Sequence, residues 1–581
     1  MSSNISDSLS LTGKKWALCT PDEPQVNLFM RQLEIPEMLA RLLTFRVPSL
    51  EEARKFLSPT LKDSLPDPLV LKDMDHAIDR VVQAITHQEK ILVWGDYDVD
   101  GITSIVLLLR FFASLGKDVS FYVPPRTNGY GATASSLDEV LTRGDTISLI
   151  LMVDCGTTAH GTLEQLQSRG IDVVILDHHT PEETLPSVCA IVNPHLPGNP
   201  EELKKCCAVG IVFLFLVGLN RVLRTKIEHY PEPDLRLLLD LVALGTVCDV
   251  VPLVTLNRAY VAQGIKIVNK RTNLGIRELV HVSKLLTEVS VYHLAFFLGP
   301  RLNAPGRLDN ANPSVRLLTT QTEKEAVHLA AELDRLNQER RALEDQVMEE
   351  AHRSAEEQKD QPFLIITGKE WATGVLGIIA GRLRERFDKP CCVISFDEKG
   401  FGRGSGRSVL GLDLGEAIHR AKTEGLIEDG GGHAFAAGFS LWHARLEDLK
   451  CFLRERAGGI AASPPMTIDS TLSLSGATLT LVHLIKRLSP FGAGNPPPRF
   501  LFPHVFCEQA QRVGRGHLSC VLTQNDGMRV FALAFRSVGT PLEKALCSPS
   551  CPYDVVGTLE SSVWRKKETI QIHIIDVGTR S

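Results

Sequence analysis

From residue 90 onward, short apolar runs alternate with segments of helical length, and this alternation most constrains the fold. The apolar runs lie at 91–94, 119–123, 149–153 and 173–176, and stretches such as ITSIVLLLRFFASLG separate them. Parallel strands need long crossover connections, usually helices, so this pattern predicts a largely parallel β-sheet covered by helices. The segments PFLIITG, VLGIIAGRLRERF and PCCVISF predict a second α/β unit further along the chain.

Acids and imidazoles directly follow three of these predicted strands. They lie in the segments GDYDVDG, VDCGTT and LDHHT and are, in chain order, Asp96, Asp98, Asp100, Asp154, Asp177, His178 and His179. Because the carboxyl ends of parallel strands share one edge of a sheet, these side chains are expected to converge. An aspartate after a strand is often only a helix N-cap, so the prediction depends on three such strand ends occurring in order.

Convergence of this kind predicts a divalent cation. Unpaired carboxylates that are packed closely repel each other and are costly to desolvate, and a cation removes that cost. Oxygen ligands with a minority of histidine suit Mn²⁺ or Mg²⁺ better than a structural zinc. A further acid, Asp249 in ALGTVCDVVPL, follows a predicted helix and is flanked by apolar residues, Val250 and Val251 among them. We expect it to join the site, the alternative being a surface aspartate at a helix end.

The rest of the chain divides by pattern. Residues 321–360 contain neither glycine nor proline and predict one long, mostly solvated connecting helix. Short strand-like pieces after residue 466 predict a small β-barrel. The expected domains are an N-terminal cap over 1–75, an α/β domain over 76–320, the connecting helix over 321–360, a second α/β domain over 361–460 and the barrel over 467–581.

The net charge, the apolar runs and the cysteine content of the chain exclude several classes of protein. The net charge of −6 provides no global basic field, so any nucleic-acid binding must come from local basic grooves. The first residues, MSSNISDSLS, lack the pattern of a secretory signal. The longest apolar run, Cys206–Leu219, is too short for a bilayer and predicts a buried helix. The 13 cysteines form no CxxC pair. We therefore predict a cytoplasmic protein without a membrane partner.

Together the motifs resemble the DHH phosphoesterase family, and within it the branch of RecJ-type exonucleases specific for single-stranded DNA. The matching segments follow the family's order and are GDYDVDG, VDCGTT, LDHH, ALGTVCDVVPL, LGPRLNAPGRLD, GRGSGRS, GGGHAFAAG and PFGAGNP. The resemblance implies a parallel-sheet DHH domain, a DHH-associated second α/β domain and an OB-fold-like C-terminal domain. It also implies 5′→3′ hydrolysis of single-stranded DNA by a two-metal mechanism, in DNA repair and recombination.

The resemblance assigns roles by motif position. The implied ligands of two Mn²⁺ or Mg²⁺ ions are Asp98, Asp100, Asp154, His178 and Asp249, with Asp154 as the bridge. Asp96, Asp177 and His179 would support these ligands or orient the substrate. Some family members carry histidine where this chain has Trp94, which would leave the first metal site one ligand short. Many carry histidine where Ala372 follows Trp371.

Glycine-rich segments carry the predicted substrate contacts. A glycine-rich loop with serine and arginine can cradle a phosphate, and a surface salt bridge is the competing interpretation for any single arginine. The resemblance points to Ser405 and Arg407 for the terminal 5′-phosphate. The full set of predicted contacts is Arg126, Tyr130, Arg301, Asn303, Arg307, Arg403, Ser405, Arg407 and His433, and Tyr130 is expected to stack a base.

The expected substrate is single-stranded DNA with a 5′ end, bound by a monomer, with a helicase and a single-strand-binding protein as candidate partners. One alternative is a DHH phosphodiesterase that acts on short oligonucleotides or other small phosphoesters. The length of the chain and its C-terminal barrel argue against it, because small-substrate relatives usually end after the second α/β unit. The other alternative is a non-enzymatic DNA-binding scaffold, which would have no reason to keep a costly anionic cluster.

Overall fold

The chain forms two compact units, and each is built from segments that are distant in sequence. The computed structural model describes residues 2–4, 10–126, 131–142, 147–459, 464–514, 516–548, 552–564 and 567–578. One unit comprises Met1–Leu65, Val250–Gln263 and Pro464–Ser581. The other comprises Pro66–Asp249 and Gly264–Ser463, so it contains both predicted α/β domains except for residues 250–263 of the first.

The strands of the described residues belong to four sheets. They are β1 (Ser2–Asn4), β2 (Trp16–Cys19), β3 (Ile91–Gly95), β4 (Ser120–Tyr122), β5 (Leu149–Val153), β6 (Asp172–Leu176), β7 (Ala190–Val192), β8 (Leu364–Lys369), β9 (Cys391–Phe396), β10 (Phe401–Arg407), β11 (Asp429–His433), β12 (Ala436–Trp442), β13 (Met466–Ile468), β14 (Ser470–Thr471), β15 (Phe500–Val513), β16 (His517–Thr523), β17 (Arg529–Ala534), β18 (Tyr553–Trp564) and β19 (Lys567–Gly578).

The helices dominate the segments between the sheets. They are α1 (Glu23–Leu33), α2 (Glu37–Thr44), α3 (Leu50–Leu57), α4 (Leu61–Ser64), α5 (Met74–Thr86), α6 (Val99–Ser114), α7 (Ala134–Leu141), α8 (His160–Ser168), α9 (Ala208–Lys226), α10 (Leu239–Cys248), α11 (Thr255–Lys270), α12 (Leu274–Val282), α13 (Val291–His293), α14 (Gly299–Leu308), α15 (Asn312–Thr319), α16 (Glu323–Glu357), α17 (Thr373–Phe387), α18 (Leu414–Thr423), α19 (Leu446–Ala457), α20 (Leu479–Lys486) and α21 (Pro541–Leu546).

The first α/β sheet is parallel throughout, with the strand order β4-β3-β5-β6-β7. Strands β3 and β5 are buried along their whole length, which explains why their sequences are continuous apolar runs. The predicted parallel sheet is confirmed, and β7 is an additional edge strand. In its register, Gly95 lies opposite Val153, and Val153 lies opposite Leu176, so three strands end side by side.

Helix α9 contains most of the long apolar run and is longer than the run itself. It has 19 residues and is long and apolar enough to cross a membrane by length and composition, but 72% of its most apolar window is buried inside the protein. It continues past Leu219 through Asn220 to Lys226. The prediction of a buried helix is therefore confirmed, although its expected length was too short.

The second α/β sheet has the order β11-β12-β10-β9-β8, and only β8 and β9 are parallel. The prediction of a loop at GRGSGRS is wrong, because this segment forms β10, which pairs with both β9 and β12. Glycine at every second position makes room for aromatic rings on one face of the sheet. A Cβ atom on Gly404 would lie 2.4 Å from the ring of Phe439.

The predicted connecting helix is present as α16, with 35 residues, but its middle is not solvated. Arg340 and Glu344 are buried there and form an ion pair with an N–O distance of 2.9 Å. Arg382 from α17 also pairs with Glu344. The composition of α16 indicated an exposed helix. That prediction is wrong for the middle of the helix because charged side chains that pair with each other can be buried.

The other unit contains the C-terminal sheet, in the order β14-β15-β16-β17-β19-β18. Strand β15 also pairs with β18, so five strands form a closed ring of pairings. Their apolar core includes Phe500 and Ile572 and is shared with Phe29, Leu39 and Phe56 from α1–α3. The N-terminal helices therefore pack on the core of the C-terminal sheet.

We expect a substitution of Gly374, at the start of α17, to destabilise the fold. A Cβ atom there would lie 2.0 Å from the carbonyl oxygen of Arg307, so the backbone must shift. Gly374→Ala should lower the free energy of unfolding by about 1–3 kcal/mol, as overpacked substitutions do. The measurement is urea unfolding followed by far-ultraviolet circular dichroism.

Gly381, on the same helix, provides the matched control. The nearest atom to a Cβ there is Cγ of Arg407, at 4.0 Å. Gly381→Ala should leave the free energy of unfolding unchanged or raise it by up to about 1 kcal/mol, because alanine favours helix. Equal stability of the two variants would contradict the close packing of α17 on Arg307.

Candidate metal centre

Three aspartates of the site are brought close together because the three aligned strands that precede them end side by side. Asp96, Asp154 and Asp177 are the residues that follow β3, β5 and β6, and each is at most 2% exposed. Asp154 has a φ of 58°, which is uncommon outside glycine. Backbone conformations of this kind carry strain and concentrate at functional sites.

Asp98 and Asp100 are held by the ends of two helices. Oδ1 of Asp98 accepts hydrogen bonds from the backbone nitrogens of Asp100 and Gly101, at 2.9 and 3.1 Å, and thereby caps α6. The two carboxylate oxygens of Asp100 accept from the backbone nitrogens of Ala208 and Val209, at 2.6 and 2.9 Å. These nitrogens lie at the positive end of α9, which favours a carboxylate. Asp98 is therefore a helix cap as well as a candidate ligand.

His178 lies among three carboxylates. Its Nε2 atom is 3.3 Å from Oδ1 of Asp154, 3.8 Å from Oδ2 of Asp100 and 3.9 Å from Oδ2 of Asp249. In the described part of the chain, three groups of side chains offer ligand atoms that all lie within 4.8 Å of one another. These groups are Asp154 with His178 and His179, Asp100 with His178 and Asp249, and Asp96 with Asp98 and Asp154.

Asp177 organises the neighbouring imidazole. It accepts hydrogen bonds from Oγ1 of Thr157 at 2.6 Å, from the backbone nitrogen of His178 at 2.7 Å and from Nδ1 of His179 at 2.7 Å. Nδ2 of Asn193 donates to Oγ1 of Thr157, at 3.1 Å, and to the carbonyl of His179, at 2.8 Å. The sequence analysis missed Thr157 and Asn193. Asn193 directly follows β7, so a fourth strand end was the signal that could have found it.

The carboxylates of the cluster repel one another. Burial and the charge of Asp98 raise the pKa of Asp96 to about 8 and that of Asp100 to about 7. Burial and the neighbouring aspartates raise the pKa of Asp154 and of Asp249 well above its ordinary value. Ionised carboxylates at this density need a positive counter-charge, which a metal ion can provide.

The two imidazoles differ in charge. Burial lowers the pKa of His179, but the charge and hydrogen bond of Asp177 outweigh it and raise that pKa to about 9. Burial and the neighbouring His179 lower the pKa of His178 to about 3. His178 is therefore neutral, which is the form that binds metal, and His179 is cationic.

Asp249 is placed by a helix end and not by apolar cover. It is the C-terminal cap of α10, and its side chain is 23% exposed. Val250, its apolar neighbour in sequence, is itself 70% exposed and has a φ of 61°. Val250 therefore does not cover Asp249, although the side chain of Asp249 does lie in the cluster. Trp94 is fully buried against the ring of Tyr122, at 4.9 Å, and adds no ligand atom.

Three arginines, Arg126, Arg307 and Arg407, lie near one another in the same unit as the cluster and are called the arginine group below. Burial together with Arg126, Arg340 and Arg407 lowers the pKa of Arg307 to about 10. Nη1 of Arg307 donates to the carbonyl of Gly374 at 3.1 Å. The guanidinium of Arg126 lies 4.5 Å from the centre of the Tyr97 ring. Like charges that converge in this way favour an anionic ligand.

Three other predicted contacts, Arg301, Asn303 and Arg403, are placed differently from expectation. The segment GPRLNAPGR is helix α14 and not a loop, although it has Pro300 in its first turn and Pro305 in its interior. Arg301 on this helix pairs with Asp334 at 2.8 Å, which matches the salt-bridge interpretation. Asn303 is half-buried on the same helix, and Arg403 is exposed on β10.

Four further predicted contacts, Ser405, Arg407, His433 and Tyr130, complete the set. Nη1 of Arg407 lies 3.4 Å from Oγ of Ser405, both on β10. His433 ends β11, and its ring stacks on that of His179 with a centroid distance of 5.5 Å. Tyr130 lies outside the described residues. The structure thus brings together all eight predicted acids and imidazoles, with His433 against them.

Comparison with known proteins identifies the family. Family models match the chain at residues 90–246 (DHH family, N-terminal domain), 360–458 (DHHA1 domain) and 468–576 (RecJ OB domain). The single-stranded-DNA-specific exonuclease RecJ of Bacillus subtilis (strain 168) is 33% identical over 574 residues, which cover 97% of this chain and 71% of that relative. The chain belongs to the RecJ family.

Further RecJ proteins agree with this assignment. RecJ of Escherichia coli (strain K12) is 35% identical over 515 residues, which cover 84% of this chain and 87% of the relative. The crystal structure of RecJ from Thermus thermophilus in complex with Mn²⁺ matches with a TM-score of 0.81 and 28% identity, over 97% of this chain and 80% of that one. The expected fold of a DHH domain, a DHH-associated domain and an OB domain is confirmed.

We expect the stability of the metal-free protein to fall as the pH rises from about 6.5 to about 8. Over this window the folded state still holds part of the protons on Asp96 and Asp100, whose pKa values are about 8 and about 7, whereas the unfolded chain has lost them. The free energy of unfolding therefore decreases with pH. Mn²⁺ should raise the melting temperature more at the higher pH, because fewer protons have to be displaced.

Differential scanning fluorimetry in chelator and in Mn²⁺ measures both effects. Asp154→Asn removes one charge from the cluster, so it should flatten the pH dependence and reduce the shift caused by Mn²⁺. A melting temperature of the chelated protein that increases over this pH range would contradict the electrostatic description of the cluster.

Proposed function

We propose that this chain is a 5′→3′ exonuclease that hydrolyses phosphodiester bonds of single-stranded DNA, with two Mn²⁺ or Mg²⁺ ions as cofactors. The observation that carries the proposal is the convergence of His178 with Asp100, Asp154 and Asp249 within 4 Å of its Nε2 atom. Membership of the RecJ family supports it, because the B. subtilis and E. coli relatives are named single-stranded-DNA-specific exonucleases. We place the reaction in DNA repair and recombination in the cytoplasm.

The side chains present fit a pair of divalent cations. The donor set is mainly carboxylate oxygen with imidazole nitrogen, which suits Mn²⁺ and Mg²⁺. Oδ1 of Asp96 is buried and has no hydrogen-bond partner among the described residues, so it has capacity for a cation. The ligands are Asp98, Asp100, Asp154, His178 and Asp249, and the geometry adds Asp96 to them. Structures of T. thermophilus RecJ with Mn²⁺ and with Mg²⁺ support this choice.

Cations held there supply Lewis-acid charge, which activates water for attack on phosphorus and stabilises the departing oxygen. The chain's own contribution is positioning and fixed charge. Asp177 keeps His179 cationic and fixes its ring, which also stacks on His433. A cationic imidazole beside the cluster meets the negative charge that develops on the phosphoryl oxygens.

The arginine group recognises the 5′ end. Arg126, Arg307 and Arg407 have no carboxylate partner within 4 Å in the described part of the chain. Burial is the largest cause of the lowered pKa of Arg307, and the charges of Arg126 and Arg407 add to it. A terminal phosphate dianion compensates such charges and accepts several charge-assisted hydrogen bonds. Ser405, close to Arg407, supplies a further donor. The arginine group gives the enzyme its polarity on strands that carry a 5′-phosphate and a 3′-hydroxyl, because only their 5′ end presents a terminal phosphate.

The domain roles follow from these positions. We assign metal and substrate chemistry to the DHH domain over 76–320, which the α16 helix connects to the DHH-associated domain over 361–460, and strand binding to the OB domain over 467–581. The N-terminal cap over 1–75 supports the OB core. The enzyme is a monomer. On duplex DNA it depends on a helicase to expose a strand and encounters single-strand-binding protein there.

We expect the protein with Mn²⁺ to degrade a long 5′-phosphorylated single strand from its 5′ end. A strand labelled at the 5′ end should release mononucleotides first, and a duplex of the same sequence should resist. Asp154→Ala should lower the rate by more than about 100-fold, because even residues that only support a metal ligand can cost 10–100-fold. The measurement is a time course resolved by denaturing electrophoresis.

A dinucleotide substrate distinguishes the alternatives. Hydrolysis of dinucleotides with no activity on the long strand would replace the proposal with a small-substrate phosphodiesterase. Binding of the long strand with no hydrolysis by the wild-type protein would indicate a scaffold. Thr180→Ala, next to His179 but exposed, is a control variant that should retain full activity.

A further inference from the structure

The turn that joins β11 and β12 carries an exposed phenylalanine beside the proposed active site. Ala434 and Phe435 form this turn, and the side chain of Phe435 is 54% exposed. The backbone nitrogen of Ser408 donates to the carbonyl of Phe435 at 2.9 Å, and that of Leu414 donates to the carbonyl of Ala434 at 3.0 Å. Two hydrogen bonds therefore fix the turn against the segment 408–414.

That segment contributes a second exposed apolar side chain. Leu410 is 62% exposed, and it lies between Ser408 and Leu414, the two donors that hold the turn. A single exposed apolar side chain is ordinary on a protein surface. Here two of them lie on adjoining segments whose backbones are joined by hydrogen bonds, and the location of these segments decides what they can bind.

The turn lies between the two places where the substrate is anchored. On one side, His433 precedes it, and the ring of this residue stacks on His179 with an angle of 18° between the ring planes. On the other side, Ala436 follows it and lies opposite Arg407 in the pairing of β12 with β10. The turn therefore adjoins the metal cluster through His433 and the pocket for the 5′-phosphate through Arg407.

We propose that Phe435, with Leu410 on the neighbouring turn, is a stacking site for the nucleobase of the 5′-terminal nucleotide. The proposal rests on the proposed exonuclease function. That nucleotide carries the terminal phosphate on one side and the bond to be cleaved on the other, so its base lies next to whatever separates the two anchors. The anchors are separated by the turn that bears Phe435.

A phenylalanine suits this position chemically. Every base has an aromatic face, so stacking on a phenyl ring tolerates any sequence, as an exonuclease without sequence preference requires. Stacking also orders the nucleotide before cleavage and so places the scissile phosphate against the metal cluster. Phe435 is thus a positioning residue for the scissile bond and acts through the bound base.

A cycle that combines a variant with a modified substrate tests the proposal. One substrate is a 5′-phosphorylated single strand with an ordinary terminal nucleotide, and the other carries an abasic terminal nucleotide with the same phosphates. The measurement is kcat/KM for release of the first product in Mn²⁺. For the wild-type protein, loss of the base should lower kcat/KM by on the order of 10- to 100-fold, the range found for one base stacked on an aromatic side chain.

Phe435→Ala should show the same loss on the ordinary strand and little additional loss on the abasic strand. Phe435→Trp keeps an aromatic face and should retain most of the activity and the sensitivity to the missing base. Trp442→Ala is the matched control, because Trp442 is an aromatic residue, 45% exposed, at the opposite end of β12. It should discriminate between the two strands as the wild-type protein does.

The outcomes separate this proposal from the proposed function. If the wild-type protein fails to cleave the ordinary strand, the function is refuted. If it cleaves that strand and Phe435→Ala still loses activity when the base is missing, the stacking site is refuted and the function stands. An equal loss for Phe435→Ala on both strands would indicate a structural role and would also refute stacking. Phe435→Leu, which preserves apolar packing, repeats the cycle if the alanine variant does not fold.

Discussion

Repulsion among buried carboxylates is the constraint on which the rest of this structure depends. The register that aligns Gly95, Val153 and Leu176 makes β3, β5 and β6 end together and brings Asp96 and Asp154 into one small volume. Burial raises the pKa of these acids, so the metal-free cluster holds protons that it would lose in water. The positive end of α9 and the cationic ring of His179 offset only part of the charge, and divalent cations supply the remainder. A rigid sheet covered by helices is what can hold such a cluster in place.

The unit that contains this cluster of carboxylates also contains a group of positively charged arginines. Arg307 and Arg407 lie where α14, α17 and β10 meet, and the close approach of Gly374 to Arg307 fixes α17 there. In the proposed function, one phosphate of a nucleic acid strand occupies the arginine group while the next lies against the metal cluster. In the further proposal, the base between them stacks at the turn that bears Phe435, so a single nucleotide is measured without its sequence being read.

Much of this arrangement was predictable from the sequence, because strand ends and their acids follow from chain order alone. Features that depend on packing between distant segments were not. GRGSGRS indicated a loop by its glycines, but the glycines accommodate aromatic rings such as Phe439 and leave a regular strand. Arg340 and Glu344 indicated a solvated helix by composition, although they are buried as a pair. Asn193 was missed because its role depends on hydrogen bonds to Thr157 and His179, which no local pattern reveals.

The most direct test of the central claim is a crystal structure with Mn²⁺, in which anomalous scattering locates the ions. We expect two ions in the cluster, each bound by carboxylate oxygens at about 2.0–2.6 Å. Asp154 should bind both, and Nε2 of His178 should bind one. The claim would be contradicted if the cluster stayed free of Mn²⁺ at saturating concentration. It would equally be contradicted if lysine or arginine side chains occupied the space among Asp98, Asp154 and His178.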